Sequence, residues 1–219
     1  MNEFLHVAEI SLPMLLQGLR LTIEISVLSI IFAFIGGLVL GYMCISPNKF
    51  VEGIARVFIK IFRCTPFMVQ VYLAYYGLPS LGINVSAFGT GVLILSLYTS
   101  AYTAVILESG VKAIPKGQYE SAAALGMPRL KIMYRIILPQ TIRMIVPSLT
   151  GQFVQTVKDS SILSIITVAE MTMMTKEAIG ITFSPLFVYI CAGVLYWALN
   201  LIIEFISGRI EKKYNRVRI

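Results

Sequence analysis

The stretch ISVLSIIFAFIGGLVLGYMCI, residues 25–45, decides the fold, because it runs 21 residues without an Asp, Glu, Lys or Arg. A helix crossing the hydrocarbon layer of a bilayer, about 30 Å thick, needs roughly 20 predominantly apolar residues. Working outward, residues 178–203 are again free of charge. So are residues 64–107, long enough for two crossings around a polar, glycine-containing turn near 82–91. A soluble chain of 219 residues has no core able to hide three such runs, and this one is 57% hydrophobic and 13% charged. The composition specifies an all-α membrane protein of about five transmembrane helices.

Periodicity and proline place the elements. Core helices are expected at about 19–42, 52–79, 87–111, 139–160 and 185–210, in a single transmembrane domain covering 1–219. Residues 1–18 carry Glu3, Glu9 and a Pro13 break, and read as an amphipathic lead-in on the outer side. Charges at Glu52, Arg56, Lys60 and Arg63 recur at helical spacing, so helix 2 starts below the membrane and is kinked by Pro66. A polar, non-spanning stretch over 161–184 leads into the last helix.

The formal net charge of +7 is unevenly placed. Fifteen of the 18 basic residues fall in three clusters: Lys49, Arg56, Lys60 and Arg63; Lys112, Lys116, Arg129, Lys131, Arg135 and Arg143; and Arg209, Lys212, Lys213, Arg216 and Arg218. All three flank apolar runs, as expected for loops retained in the cytoplasm. Counting five crossings from an outside N-terminus puts the connections after helices 1, 3 and 5 inside, and those are the three clusters. The C-terminus is then cytoplasmic. Separation of the clusters by spans excludes a nucleic-acid surface.

Enzyme chemistry lacks its parts. His6 is the single histidine and stands before the first span, so no Ser–His pair forms in the membrane. Cys44, Cys64 and Cys191 have no metal-ligand spacing. No catalytic or metal-binding residue is assigned. No Gly-x-x-x-x-Gly-Lys-Ser/Thr loop exists, so this chain does not hydrolyse ATP by that route.

The stretch QYESAAALGMPRLKIMYRIILPQ, residues 118–140, carries the functional signal. Residues 120–125 are good helix formers with three consecutive alanines. Gly126 permits a left-handed stop and Pro128 prevents simple continuation. A second short helix, about 129–137, ends at Pro139. Small alanines let a groove of another protein approach the helix backbone, so the loop forms a rigid knob.

Here the chain resembles the membrane subunits of binding-protein-dependent ABC importers. Their pattern Glu-Ala-Ala, three residues, Gly, nine residues, Ile-x-Leu-Pro appears as Glu120-Ser121-Ala122, Gly126 and Ile136-x-Leu138-Pro139, with Ser121 as the departure. Similarity to the polar amino acid group covers nearly the whole length. It includes Arg63-Cys64-Thr65-Pro66 with Gln70, Ser100-Ala101-Tyr102, residues 114–118, and Lys158-Asp159-Ser160-Ser161. The resemblance implies a type I importer transmembrane domain in a bacterial-type cytoplasmic membrane, with 112–138 as the coupling loop. Glu120, Ser121, Ala122, Ala123, Leu125 and Gly126 would then contact an ATPase. It also implies a second copy or paralogue of the permease, two ABC ATPase subunits, an extracytoplasmic amino-acid-binding protein, and surrounding membrane lipid. No cofactor is expected in this chain, ATP and Mg belonging to the ATPase.

Charges inside the membrane mark the expected substrate path. Lys158 lies 15 residues beyond Arg143, roughly 22 Å deeper, so Lys158 and Asp159 fall within the hydrocarbon layer. Such residues face a partner or a water-filled path, or neutralise neighbouring helices. Ser160, Ser161 and Gln155 share that region, Gln155 on the face of Lys158. Glu108 is acidic where the family often has a basic residue. With Asp159 it is expected to help select a cationic amino acid. Glu24, Glu170 and Tyr72 are further candidates; Tyr75 and Tyr76 are more simply interface anchors. The expected function is ATP-driven import of polar, particularly basic, amino acids by alternating access. The alternative is an ion-coupled secondary transporter using Glu24, Glu108 and Asp159, which leaves the knob unexplained.

Overall fold

In the computed structural model, which describes residues 2–215, the chain is a helical bundle without strands among those residues. Helix α1 spans Asn2–Cys44, α2 Lys49–Cys64, α3 Phe67–Ser80 and α4 Ala87–Lys112. Two short helices, α5 (Lys116–Ala124) and α6 (Arg129–Ile132), lead through a wide π turn at Met133–Ile137 into α7 (Leu138–Asp159). A 3-10 segment, Ser160–Ile166, precedes α8 (Met171–Thr182) and α9 (Pro185–Asn215). Arg216 and Arg218 of the third basic cluster lie outside the described residues.

The bundle is patterned inside out. On α1 the buried stripe contains Ser11, Thr22, Ser26, Ser29 and Ala33, whereas Leu16, Ile23, Val27, Ile31, Phe32, Ile35 and Val39 are exposed. In lipid, large apolar side chains gain nothing by turning inward, and helices associate through small residues that let backbones approach. Glycine makes the closest of these contacts. A Cβ on Gly37 would lie 2.5 Å from Thr103 Cγ2 of α4, and one on Gly18 would lie 2.6 Å from the Met171 Cα of α8. Because Met171 offers backbone there, Gly18→Leu is expected to prise α8 from α1 and cost about 1–3 kcal/mol. The melting temperature of the purified protein, with Gly193→Leu on open surface as control, measures this.

Among the described residues three helices are long and apolar enough to cross a membrane: α1 over Leu5–Cys44, α4, and α9 over Pro185–Arg209. The α2–α3 pair qualifies as a fourth only if taken together, with a bend of 107° between its halves. Helix α7 has the length of the expected fourth span but is not apolar enough to pass the same test.

Three expectations are corrected. Residues 2–18 are not a separate lead-in, because α1 is one helix of 43 residues with Pro13 inside it. Pro13 is exposed, and the buried stripe runs past it through Val7, Ser11 and Leu15. Residues 52–79 are two helices, not one kinked rod. The carbonyls freed at the bend are held by Gln70, whose Nε2 donates to Phe62 O at 2.9 Å and Thr65 O at 3.1 Å. The second short helix does not end at Pro139, since its π turn runs on into α7 and Pro139 lies in the first turn of α7, where no N–H is needed. The stretch 161–184 holds the 3-10 segment and α8, neither of them among the span-length helices, and it packs on α1. Met171 N donates to Thr22 Oγ1 at 3.1 Å, while Ala178 clusters with Val7 and Val188. Helix α8 therefore runs antiparallel to the N-terminal half of α1.

Helices α4 and α7 are also antiparallel. Gly110 lies against Thr141 and Ile145, and the hydroxyls of Thr99 and Thr156 meet at 3.1 Å. The end of α7 thus sits beside the middle of α4, about 24 Å from the Lys112 end.

Candidate functional site

The knob is built on a small core of its own. Ile114, Ala122, Ile132 and Ile137 are buried together, with Tyr119, Met127 and Ile136 packed around them. Gly126 closes α5 with φ +74°, a left-handed conformation costly for a residue with a Cβ. Of the six residues expected to meet an ATPase, Glu120, Ser121, Ala123, Leu125 and Gly126 are exposed, whereas Ala122 is turned inward against Ile132. Sequence reasoning missed the rest of the outer surface. Leu130 at 85% and Tyr134 at 77% exposure add large apolar side chains to the expected Leu125, at 82%, on α6 and the π turn that follows α5. These exposed apolar side chains lie outside the span-length helices.

At the far end of the same helical rod lies a polar face. Ser148, Gly151, Gln155 and Lys158 are exposed along one side of α7, at spacings of three and four residues. Gln155 Nε2 donates to Asp159 Oδ1 at 2.8 Å, and Asp159 Oδ2 is buried with no hydrogen-bond partner among the described residues. Lys158 and Asp159 point to different surroundings. Lys158 lines a groove of about 420 Å³ between α7 and α9, with Ser161, Tyr196, Trp197, Asn200 and Glu204. Asp159 is half-buried at the end of α7 that lies beside the middle of α4. Ser160 is buried and donates to Val157 O at 2.7 Å, and Ser161 donates to Lys158 O at the same distance. Lys158 in the last turn also complements the negative end of the α7 dipole.

Glu108 lies elsewhere. Its carboxylate accepts from Arg56 Nη1 at 2.7 Å and Nη2 at 2.6 Å, and pairs with Lys112 Nζ at 2.6 Å. Arg56 also reaches Glu52 at 3.4 Å, which pairs with Lys49 at 2.9 Å. The α4–α7 pairing puts Glu108 about 17 Å from Asp159 along the helices, so the two carboxylates do not share a pocket. Glu24 pairs with Arg20 at 2.8 Å on the exposed side of α1. Tyr72 stacks on Tyr76 with ring centres 5.9 Å apart, at the edge of the core formed by Phe67, Val71 and Leu95. Glu170 is buried rather than in an open loop. It caps α8 by accepting from the N–H groups of Thr172 and Met173, both at 2.9 Å, and from the Tyr196 hydroxyl at 2.9 Å.

A span-length helix with an exposed polar stripe, beside α1, α4 and α9 with their largely apolar sequences, is a pattern that membrane transport components use. The chain belongs to the family of binding-protein-dependent transport system inner membrane components, which it matches over residues 33–216. It is 36% identical over 203 residues to the arginine transport system permease protein ArtQ of Bacillus subtilis (strain 168), covering 92% of this chain and 93% of that protein. It is 34% identical over 216 residues to the putative glutamine transport system permease protein GlnP of Rickettsia bellii (strain RML369-C), covering 97% and 98%. A solved amino acid ABC transporter crystallised with histidines superposes with a TM-score of 0.90 at 31% identity, covering 96% of this chain and 98% of that one. The protein is thus a permease subunit of an ABC amino acid importer, with the type I importer transmembrane fold.

Proposed function

We propose that this permease moves polar, preferentially basic, amino acids inward across the cytoplasmic membrane by alternating access. Its knob is driven by separate ATPase subunits. The observation that carries the reading is the continuous helical run from Arg129 to Asp159, about 45 Å long, which joins the apolar tip to the polar face. Movement of the tip is thereby delivered to Asp159, Gln155 and Lys158. The N-terminus lies outside and the C-terminus inside, so the tip, among the basic residues of 112–143, meets the cytosol. One such bundle leaves its polar stripe open on one side, and a second copy or a paralogue closes it. Two ABC ATPase subunits, carrying ATP and Mg, grip the knobs, and an extracytoplasmic binding protein delivers the amino acid. The permease itself needs no cofactor.

Proteoliposomes test this. With the ATPase subunits and binding protein present, uptake of labelled arginine is expected to require ATP on the knob side and to persist after ionophores collapse all ion gradients. Uptake driven by an ion gradient without ATP would overturn the reading in favour of a secondary transporter.

A further inference from the structure

The surface expected to meet an ATPase and the rod that ends at Asp159 are not one helix. Glu120, Ser121, Ala123 and Leu125 stand on α5 or at its end, whereas the continuous run begins only at Arg129. A push on α5 therefore has to cross to the run, and the run is least firmly tied where it first receives that push. In the π turn Leu138 N–H reaches back five residues to Met133 O, and Pro139 has no N–H to offer the turn before it. On one side of the knob core an open cleft of about 390 Å³, lined by Gln118, Ser121, Leu125, Met127 and Ile136, lies between α5 and that turn. Beside the cleft a side-chain contact joins the two elements. Gln140, in the first turn of α7, uses both hydrogens of its amide. Its Nε2 donates to Ile136 O at 2.9 Å and to Oε1 of Gln118, in the first turn of α5.

We infer that the Gln118–Gln140 pair is a clasp that carries displacement of α5 directly to α7, past the π turn. The same planar amide holds Ile136 O, so α5, the π turn and the first turn of α7 are tied at one point. A neutral pair of this kind contributes little to stability at an exposed position. The knob is held together by its apolar core of Ile114, Ala122, Ile132 and Ile137, and the clasp sets which way α7 is pulled when α5 moves. Both glutamines are positioning residues, acting through α7 without touching ATP or the amino acid. The inference rests on the ATP-driven reading above and deepens it by naming where the drive enters α7.

The experiment counts labelled arginine imported per ATP hydrolysed, in proteoliposomes holding the permease–ATPase complex and the binding protein. Gln118→Leu removes the clasp and leaves the Gln140–Ile136 contact. It is expected to lower that ratio about three- to fivefold, the worth of one neutral hydrogen bond, with copurifying ATPase and the rate of hydrolysis unchanged. Gln118→Glu keeps an acceptor at the same reach and should retain the ratio of the unsubstituted complex. A leucine variant with an undiminished ratio overturns the clasp, as does a glutamate variant that falls with it. Loss of copurifying ATPase in step with uptake also overturns it, since Gln118 is then a docking residue. Hydrogen exchange in the same complex reads the clasp without transport. The amides of 116–124 should exchange about three- to fivefold faster in Gln118→Leu than in the unsubstituted or Gln118→Glu complex, with those of 145–157 unchanged. Equal exchange over 116–124 overturns the clasp. If the unsubstituted complex shows no ATP-driven arginine uptake, the transport reading falls, and the exchange comparison still decides the clasp.

Discussion

Gly126→Asp is expected to lower ATP-driven uptake about tenfold or more while leaving the permease inserted and folded. Nothing lies within 4 Å of a Cβ added at Gly126, so the aspartate side chain has room and the knob core is untouched. What changes is the outer surface. A carboxylate is placed between Leu125 and the Leu130–Tyr134 patch, where a partner cleft would have to desolvate it. A misplaced charge costing only ~1.4 kcal/mol of docking weakens association tenfold. The left-handed backbone at φ +74° adds a further cost of about 1 kcal/mol for most side chains. Gly126→Asn separates the two effects, because asparagine tolerates that conformation and carries no charge. The expected order of copurifying ATPase and of uptake is glycine, then asparagine close behind, then aspartate far below. Normal uptake by the aspartate variant removes the knob from the coupling route.

Arg56→Met is expected to destabilise the bundle by about 3 kcal/mol, seen as a lower melting temperature of the purified protein. Glu108 is 6% exposed, and Arg56 supplies two of its three ionic hydrogen bonds. Removing Arg56 leaves the buried Glu108 carboxylate with Lys112 as its remaining cationic partner among the described residues and two acceptor positions unfilled, which costs more than the pair is worth. Arg56 is itself 36% exposed, which keeps the figure toward the low end of the range for such pairs. The double variant Arg56→Met, Glu108→Met should recover most of the loss, since no charge is then stranded. A double variant no more stable than Arg56→Met shows that the contact holds α2 to α4 by packing alone.

How much of this was legible in the sequence depended on how local each feature is. The spans of α1, α4 and α9 follow from charge-free runs, which need no knowledge of neighbours. The knob followed from Gly126 and Pro128, which act within a turn. Pro66 announced a break but not its size. The 107° bend is stabilised by Gln70, whose side chain reaches back to Phe62 and Thr65, and that is a tertiary arrangement. Glu108 stood out by its sign, yet its partner lies 52 residues earlier on another helix. Without Arg56 in view it read as a substrate group. Leu130 and Tyr134 went unnoticed because apolar residues in a helix ordinarily point inward, and only exposure distinguishes a docking patch.

The π turn at Met133–Ile137 gives the long rod one position where its winding departs from the α-helical phase. Each residue added to or taken from a helix turns everything beyond it by about 100°. The orientation of the tip relative to Asp159 is thus set there, like the meshing of a gear, independently of how far apart the two ends stand. A one-residue insertion or deletion at this turn is therefore expected to rotate the tip while leaving the polar face of α7 as it is.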